Sequence, residues 1–326
     1  MSYLIDNLQS TDRDTRILAM MDLGQSKAHE SVPALINALE DDDQEIRASA
    51  AYALGCIGDL DTVDPLASCL NDESPNVRYF AVSALGQILS GLRTIDRLSL
   101  GLQLIVIESL ITLLNDTDRY VRCVAAIGLG NIKDVKAIPA LIKSLKDEDV
   151  EVRWYAAAAL KEIKEIKDKR AVEFLIAALD DDNYYVRSTA ANVLGIIKDK
   201  RAIPHLVKSL GDVSKDVRRA VIFALKSFND PLIAEAVTKA LGDSDVYVRR
   251  GATDILGQIK PLCAVDALIM ALGDSDTYVR RDAVYALWQI GDVRGIEPIR
   301  ARLNDSSTQV RNMAKNALAN LEKAKA

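Results

Sequence analysis

Residues that could bind a metal or act as nucleophiles are scarce in this chain of 326 residues. Only two histidines, His29 and His205, and four cysteines are present. The cysteines at 56, 69, 123 and 263 form no CxxC pair, and no nucleophile–base pairing follows from their spacing to the histidines. The sequence therefore favours a non-enzymatic protein, with no catalytic residues, no metal site and no cofactor.

Two further motifs suggest ligand chemistry at first sight. The acidic run from Glu40 to Asp43 has the composition of a calcium site, but no loop of suitable length supplies ligands at alternating positions. Gly128 and Gly130 in IGLGNI follow no strand and are joined by no third glycine, which a phosphate-binding loop needs. Helix capping by the aspartates and a recurrent helix-end glycine, present in six repeats, account better for both motifs.

Composition and charge narrow the function classes. The chain is 49% hydrophobic with a formal net charge of −6, so it predicts an ordered protein and makes nucleic acid an improbable partner. The apolar stretch from Leu102 to Leu114 is too short for a membrane span, and the N-terminus resembles no signal peptide. We therefore expect a cytoplasmic protein without a membrane-spanning helix. Its oligomeric state is left open.

The chain is organised by one repeated arginine. GDSDVYVRRGA at 242–252 returns as GDSDTYVRRDA at 273–283, and alignment on the first arginine of this motif gives ten repeats. Seven of the nine intervals between successive arginines are thirty-one residues, and the other two are forty-four and thirty-four. A period in this range predicts a two-element unit that buries its apolar side against its neighbours. The aligned arginines are Arg16, Arg47, Arg78, Arg122, Arg153, Arg187, Arg218, Arg249, Arg280 and Arg311.

Each repeat has the pattern of a helical hairpin. Leucine lies eight residues before and seven residues after every aligned arginine, and Asp, Ser or Asn lies four residues before it, where a second helix would begin. Val or Ile precedes the arginine in nine repeats, and Ala follows three residues later in nine, so these side chains share one helix face. Proline in the first turn of the preceding helix, as in RAIPHLVKSL at 201–210, fits the same organisation.

The pattern D-x-D-x-x-V-R-x-x-A-A-x-A-L-G-x-I-x-D-x-R-A-x-x-x-L carries a family resemblance. DEDVEVRWYAAAALKEI and DDDNYYVRSTAANVLGIIKDKRAIPHLVKSL match it almost completely, and it resembles the HEAT-like repeat of the phycobilisome-lyase type. The resemblance covers nearly the whole chain. It implies an all-α fold, an α-solenoid of about ten two-helix repeats across residues 1–326, with the second helices on the concave side. Thirteen extra residues predict an irregular insertion near 89–103, and three more lie within KEIKEIKDKR.

The outward side of the second helices is rich in aromatic residues. Nine of the ten tyrosines fall three or two residues before, or one, two or five residues after, the aligned arginine. Such side chains bury much area with few rotamers, so they predict a recognition surface, although rings that lie flat between repeats would give the same pattern. The candidate partner-binding residues are Tyr52, Tyr79, Phe80, Tyr120, Trp154, Tyr155, Tyr184, Tyr185, Arg219, Phe223, Tyr247, Arg250, Tyr278, Arg281 and Tyr285.

Three of these candidates are arginines that directly follow the aligned arginine. We predict that the first arginine of each pair is architectural and bridges the Asp-containing turns, whereas Arg219, Arg250 and Arg281 point outward. The outward arginines could hold carboxylates, a phosphate or an acidic peptide. A solvated face in which Asp216, Asp254 and Asp282 neutralise them is an equally good interpretation.

The leading hypothesis is a scaffold or adaptor that binds a protein or peptide on its concave face. The resemblance also allows a bilin-lyase subunit or chromophore chaperone, in which tyrosines would stack on a tetrapyrrole and arginines would pair with its propionates. A third possibility is duplex DNA binding, as in some HEAT-like glycosylases, but the acidic charge disfavours it. The iron-dependent deoxyhypusine hydroxylases also resemble this architecture, but their metal site needs several His-Glu pairs and this chain has only His29-Glu30.

Overall fold

The computed structural model describes residues 2–89, 98–163 and 171–323. Within them every regular element is a helix, and the helices form ten pairs, which confirms the predicted all-α, solenoid-type fold. The first helices are α1 Ser2–Asn7, α3 Val32–Ala38, α5 Val63–Ser68, α7 Leu100–Leu113, α9 Ile138–Ser144, α11 Ala171–Ala178, α13 Ile203–Ser209, α15 Ala234–Ala240, α17 Val265–Ala271 and α19 Ile296–Ala301. The second helices are α2 Arg13–Gln25, α4 Gln44–Ile57, α6 Pro75–Leu89, α8 Arg119–Ile132, α10 Val150–Glu162, α12 Tyr184–Ile197, α14 Lys215–Lys226, α16 Val246–Ile259, α18 Thr277–Ile290 and α20 Thr308–Lys323.

The chain divides into two compact units, residues 1–174 and 175–326. In the first unit, α2, α4, α6, α8 and α10 pack each on the next. In the second unit, α12, α14, α16, α18 and α20 do the same. The first helices other than α11 pack mainly on the second helix of their own repeat. Consecutive second helices therefore build one layer in each unit, and the prediction of a single continuous array across both units stays a prediction.

The core follows the leucine pattern of the sequence. All ten leucines seven residues after the aligned arginine are at most 5% exposed, because they point into the space between the two helix layers. The leucines eight residues before it are buried in eight repeats, whereas Leu210 is half-buried and Leu303 is exposed. Burial of these two sets closes each hairpin and leaves the opposite side of the second helix accessible.

The residue four before the aligned arginine caps the second helix as predicted. Its side chain accepts hydrogen bonds from the first free amides of the helix in seven repeats, at Asp12, Asp43, Asp118, Asp149, Asn183, Asp245 and Asp276. Ser214 occupies the same position but makes no such bond. In these seven repeats the start of the second helix, and with it the register of its outward residues, is thus set by one polar side chain.

The recurrent glycine has a different role from the helix-end role that the sequence suggested. Gly195 lies inside the last turn of α12, and a Cβ there would lie 2.8 Å from Cα of Ala224 on α14. Gly55 faces Ala84 at the same distance. The left-handed residue that ends the helix comes three positions later, for example Lys198 with φ of 57°. The glycine therefore permits close contact between successive second helices, and another residue terminates the helix.

The predicted insertion falls partly outside the described residues, which omit 90–97. Its C-terminal part lengthens a helix, since α7 has 14 residues whereas the other first helices have six to eight. The three extra residues of the fifth repeat lie within 164–170, also outside the described residues. Among the helices that the structure describes, none combines the length and apolar character that a bilayer crossing requires.

Candidate interaction surface

The first arginine of each repeat joins neighbouring repeats, as predicted. Arg249 donates from Nε and Nη2 to the two carboxylate oxygens of Asp274, at 2.7 and 3.0 Å, and from Nη1 to the backbone carbonyls of Asp243 and Ser244. The same two-pronged contact recurs in seven repeats. We call these residues the turn arginines: Arg47, Arg78, Arg122, Arg187, Arg218, Arg249 and Arg280.

The charge of these bridges is held firmly in the ionised state. Burial by itself would raise the pKa of Asp274, but the hydrogen bonds from Arg249 and from the Asp276 amide outweigh it, so the pKa is lowered. The pKa of Arg249 is raised, first by the hydrogen bonds to Asp274. Both side chains are nearly buried, with 13% and 11% exposed. The turn arginines are therefore structural and leave no charge for a ligand.

The fifteen candidate residues lie on the side of the second helices that faces away from the core, and none of them is buried. We call this set the recognition face. Phe223 is the most exposed at 72%, followed by Tyr247 at 57% and Tyr120 at 51%. The rings of seven of its twelve aromatic residues are exposed and the other five are half-buried, so the rings are not sealed between hairpins. The exposed seven are Tyr120, Tyr184, Tyr185, Phe223, Tyr247, Tyr278 and Tyr285.

In the first unit the recognition face contains clusters of rings. Tyr52 and Tyr79 each make an edge-to-face contact with Phe80, with ring centres 5.8 and 5.2 Å apart. Trp154 and Tyr155 are tilted against each other at 4.6 Å. Burial raises the pKa of the Tyr155 hydroxyl, and nearby negative groups raise it further. These geometries favour apolar contact with a polar group at the rim.

Tyr120, in the same unit, is contacted by the neighbouring Arg119. The Arg119 guanidinium lies 4.7 Å from the centre of the Tyr120 ring and also donates a hydrogen bond to the tyrosine hydroxyl at 2.8 Å. Arg119 further pairs with Asp149 at 3.1 Å. The ring is thus exposed yet held in place by a cation that is itself anchored.

In the second unit arginine and tyrosine alternate in one continuous row. The Arg219 guanidinium lies 4.6 Å from the Tyr247 ring centre, and Arg250 lies between Tyr247 and Tyr278 at 5.5 and 4.4 Å. Arg281 lies 5.0 Å from the other side of Tyr278. We call Arg219, Tyr247, Arg250, Tyr278 and Arg281 the Arg–Tyr stack. The contacts of Tyr247 with Arg250 and of Tyr278 with Arg281 join residues three apart on one helix. The contacts of Arg219 with Tyr247 and of Arg250 with Tyr278 join neighbouring helices, so the row is continuous only because successive second helices pack in register.

Of the two interpretations of these arginines, an anion-binding site and a face neutralised by local ion pairs, their contacts favour the second. Arg219 donates to both carboxylate oxygens of Asp245, at 2.9 and 2.6 Å, and Arg250 does the same to Asp276. Both aspartates also cap the helix of the next repeat. The hydrogen bonds from Arg219 lower the pKa of Asp245 to about 2, and those from Arg250 lower the pKa of Asp276 to about 2. The charge of both arginines is therefore already neutralised.

The strongest of these pairings differ from those expected from the sequence. The expected neutralising groups were Asp216, Asp254 and Asp282, and of these Asp216 approaches Arg219 at 3.4 Å and Asp282 pairs with Arg281 at 2.7 Å. The stronger partners are the capping aspartates 26 residues after Arg219 and Arg250, and this constant spacing was the signal for them. A cap was expected to bind backbone amides, whereas here the same carboxylate also binds an arginine from the preceding repeat.

The remaining candidates flank the stack. Tyr184 and Tyr185 lie side by side with ring centres 4.1 Å apart. Tyr285 makes an edge-to-face contact at 5.7 Å with Trp288, a half-buried ring that was not among the candidates. Trp288 occupies the position where other repeats carry the close-packing glycine, and this substitution was the signal for it.

A groove lies beside the end of the Arg–Tyr stack and is formed by α16, α18 and α20, the second helices of the last three repeats. Its volume is about 510 Å³, and it is lined by Arg250, Gly251, Asp254, Arg281, Asp282, Tyr285 and Met313. Another groove of about 560 Å³ lies between α13 and α15 and contains none of the candidate residues. Only the former brings candidate residues together with open space.

One group of side chains has ligand types that metals use. Cys123, Asp149 and Glu151 have their ligand atoms within 4.8 Å of one another. Burial raises the pKa of the Cys123 thiol to about 12, and the carboxylates of Asp149 and Glu151 add to the effect, so the thiol is protonated at neutral pH. Asp149 is already bound by Arg119 and by two helix amides. This cluster therefore does not support a metal site.

The pairing of Arg and Asp, the cap at each second helix and the leucine-filled hairpin together define a helical repeat protein. A family model described as HEAT repeats matches residues 1–86, 107–165, 155–226, 210–287 and 265–326. The chain therefore belongs to the HEAT-repeat family. The finer likeness to the phycobilisome-lyase type is not established by this match.

Solved structures show the same architecture. An engineered protein determined by the Northeast Structural Genomics Consortium is 26% identical, with a TM-score of 0.70 and 98% of both chains covered. Kap95p, from a structure of its complex with RanGDP, is 13% identical, and an importin beta structure is 16% identical, both with a TM-score of 0.63. This chain is covered to 98% in both cases but spans only about half of those two proteins, 49% and 50%. No curated protein matches the sequence significantly.

Proposed function

We propose that this protein is a non-enzymatic scaffold or adaptor that binds a protein or peptide segment on the recognition face. The exposure of seven aromatic rings on one side of the second helices, opposite a fully closed core, carries this proposal. Exposed rings of this number have no role in hairpin packing, and Tyr and Trp are the side chains that most often dominate binding energy at interfaces. The sequence-based expectation that the second helices line the concave side agrees with this use.

The arrangement of charge supports a protein partner over a nucleic acid. Arg219 and Arg250 are each committed to an aspartate, and Arg281 pairs with Asp282. Binding of a phosphate backbone gains its affinity from cations whose counterions are released, and paired arginines contribute little to that gain. Arginines that are held by carboxylates and stacked on rings instead form a firm surface for apolar and hydrogen-bonded contact.

Binding also benefits from rings that do not need to be ordered by the partner. Tyr247 and Tyr278 are exposed, but the flanking guanidinium groups of Arg219, Arg250 and Arg281 restrict their motion. Immobilising a free side chain at an interface costs about 0.5–1.5 kcal/mol, so side chains that are already fixed lose less on binding. Kap95p, which shares the fold, binds RanGDP, and for this chain the likeness supports only the general use of such a surface for a protein partner.

A peptide-display experiment tests this function. Peptides from a random library are selected on the native protein, and the affinity of one selected peptide is measured by fluorescence anisotropy. The variant with Tyr155→Ala, Tyr185→Ala, Tyr247→Ala and Tyr278→Ala should bind it at least about tenfold more weakly, because each ring removed takes apolar contact from the interface.

The tenth tyrosine provides the matched control. Tyr3 is 73% exposed on α1, outside the recognition face, so Tyr3→Ala should leave the affinity unchanged. Far-UV circular dichroism verifies that both variants keep their helices. Selected peptides whose affinity is the same for the native protein and the four-tyrosine variant would show that the recognition face is not the binding surface.

A further inference from the structure

The Arg–Tyr stack ends abruptly at Arg281. Arg250 has a ring on each side, whereas Arg281 contacts Tyr278 and no second ring within the continuously described segment 171–323. The position that would supply the next ring carries Gln309, an exposed residue of α20. One face of the Arg281 guanidinium therefore has no aromatic neighbour.

The carboxylate partner changes at the same junction. Arg219 and Arg250 reach the capping aspartate of the next repeat, but the corresponding residue after Arg281 is Ser307. Arg281 pairs instead with Asp282, the next residue of its own helix, through Nε and Nη2 to one carboxylate oxygen at 2.7 Å. Arg281 therefore makes no bridge to the next repeat of the kind that Arg219 and Arg250 make.

The groove of about 510 Å³ lies beside Arg281 and is lined by residues of α16, α18 and α20. Tyr285 and Met313 supply apolar wall, and a thioether sulfur makes favourable contacts with aromatic rings. Gly251 adds no side chain, and Asp254 and Asp282 place carboxylate oxygens at the rim. The groove thus combines a cationic platform, apolar walls and acceptors for an N–H or O–H donor.

We propose that this groove binds one aromatic side chain of a partner peptide, an indole or a phenol, which stacks on the open face of Arg281 and continues the Arg–Tyr stack. The inference rests on the proposed function and adds a place and a side-chain class to it. Indole is the best ring for a cation–π contact, and its N–H, like the hydroxyl of a phenol, can donate to Asp254 or Asp282. An aliphatic side chain would gain neither contact.

Methionine methyl NMR tests the proposal directly, since Met313 lines the groove. The protein carries methyl-labelled methionine, and the probe is N-acetyl-tryptophanamide, with N-acetyl-leucinamide as the non-aromatic control. We expect a saturable shift of the Met313 methyl signal with the tryptophan probe alone, at a dissociation constant on the order of 1–10 mM. Met20, buried in the core, and Met270, 81% exposed on α17, should not move.

Three variants assign the shift to the stack. Arg281→Ala removes the platform, and Gln309→Tyr fills the open position with a ring of the chain's own, so each should weaken probe binding at least about tenfold. Arg294→Ala is the matched control, because Arg294 is an arginine outside the recognition face that pairs with Asp266 and Asp292, and it should leave the Met313 titration unchanged. Gln309 is exposed, so Gln309→Tyr keeps the test valid if Arg281→Ala fails to fold.

A Met313 signal that does not saturate, that responds equally to the leucine probe, or that persists in Arg281→Ala and Gln309→Tyr would overturn the inference. These outcomes are distinct from failure of the proposed function. If a selected peptide loses affinity for the four-tyrosine variant while Met313 never moves, the recognition face binds peptides and the groove does not take an aromatic anchor. If the peptide ignores the four-tyrosine variant, the proposed function itself fails, whatever Met313 does.

Discussion

Arg249 and Arg250 are neighbours in sequence, and each donates two hydrogen bonds to an aspartate of the next repeat. Their surroundings nevertheless differ in exposure and in the other groups that they contact. Arg249 is 13% exposed and also binds two carbonyls of its own turn, whereas Arg250 is 30% exposed and lies between two tyrosine rings. Within the described parts of the chain the first kind of bridge occurs in at least seven repeats, and the second is seen at Arg219 and Arg250. One ion pair can thus hold a stack together or shape a surface, depending on what else the guanidinium touches.

The difference lies in depth and in the second set of contacts. A turn arginine makes four hydrogen bonds to one carboxylate and two carbonyls in a nearly buried site, so its loss leaves several polar groups without partners. A face arginine such as Arg250 is partly solvated, and water can replace its contacts with the carboxylate. We therefore expect stability to depend on the turn arginines and binding geometry to depend on the face arginines.

The largest effect should come from removing a turn arginine. Arg249→Ala leaves the nearly buried Asp274 carboxylate without its partner, and we expect a loss of about 2–3 kcal/mol in the free energy of unfolding. Arg250→Ala should cost no more than about 1 kcal/mol. Urea unfolding followed by circular dichroism measures both.

A larger loss of stability for Arg250→Ala than for Arg249→Ala would contradict the distinction between structural turn arginines and surface arginines. Equal losses for Arg249→Ala and Arg250→Ala would mean that both rows of arginines are structural. Since repeat arrays can unfold in parts, hydrogen exchange of the amides in α16 and α18 provides a second measurement. Opening should increase near the Asp274 turn for Arg249→Ala and remain near the native level for Arg250→Ala.

The ion pairs Arg219–Asp245 and Arg250–Asp276 should also make the stability of the protein depend on pH. The pKa values of Asp245 and Asp276 are lowered to about 2 in the folded protein, first by hydrogen bonds from Arg219 and Arg250, against an ordinary value of 3.8. A lowered pKa in the folded state means that the stabilisation is present above about pH 4 and is lost as the pH falls toward 2. We expect a contribution of about 1–2 kcal/mol from each aspartate after allowance for solvent screening.

The double variant Asp245→Asn, Asp276→Asn isolates this contribution. The difference in melting temperature between native protein and variant should be largest above about pH 4 and should shrink toward zero near pH 2. Asp254→Asn serves as control because Asp254 pairs only with the exposed Lys226 and Gln258 in the described contacts. A difference that stays constant across this range would show that ionisation of the two aspartates does not contribute to stability in the expected way.

Much of this architecture could be predicted from the sequence because it depends on local periodicity. The ten leucines after the aligned arginine, the capping residues and the pairing of helices all follow from spacing within one repeat. The partners of Arg219 and Arg250 were missed, since the constant spacing of 26 residues shows that the pairs recur but not how far one second helix is displaced along the next. The role of Gly195 was missed for the same reason: only the approach of Ala224 shows why a side chain is excluded there.

The recognition face was predictable as a set of positions and less so as a surface. Placing nine tyrosines on the outward side of the second helices required only the period of the helix, and the rings are exposed or half-buried as expected. The alternation of Arg and Tyr required the register between repeats. So did the groove, because its walls come from three successive second helices, α16, α18 and α20.

The smallest expected effect comes from adding one more pair to the series Arg219–Asp245 and Arg250–Asp276. Ser307→Asp places a capping carboxylate 26 residues after Arg281, the spacing that Asp245 and Asp276 have from Arg219 and Arg250. The new pair should draw Arg281 toward α20 and raise the free energy of unfolding by about 0.5–1 kcal/mol, as an exposed pair that also caps a helix. Urea unfolding of the native protein and of Ser307→Asn, which can cap but carries no charge, separates the two contributions.

Ser307→Asp should also affect the groove. Because Arg281 would leave its present position against Asp282, Ser307→Asp should weaken the binding of the tryptophan probe that the Met313 signal reports. A stabilised protein with an unchanged titration would show that the groove does not depend on the orientation of Arg281.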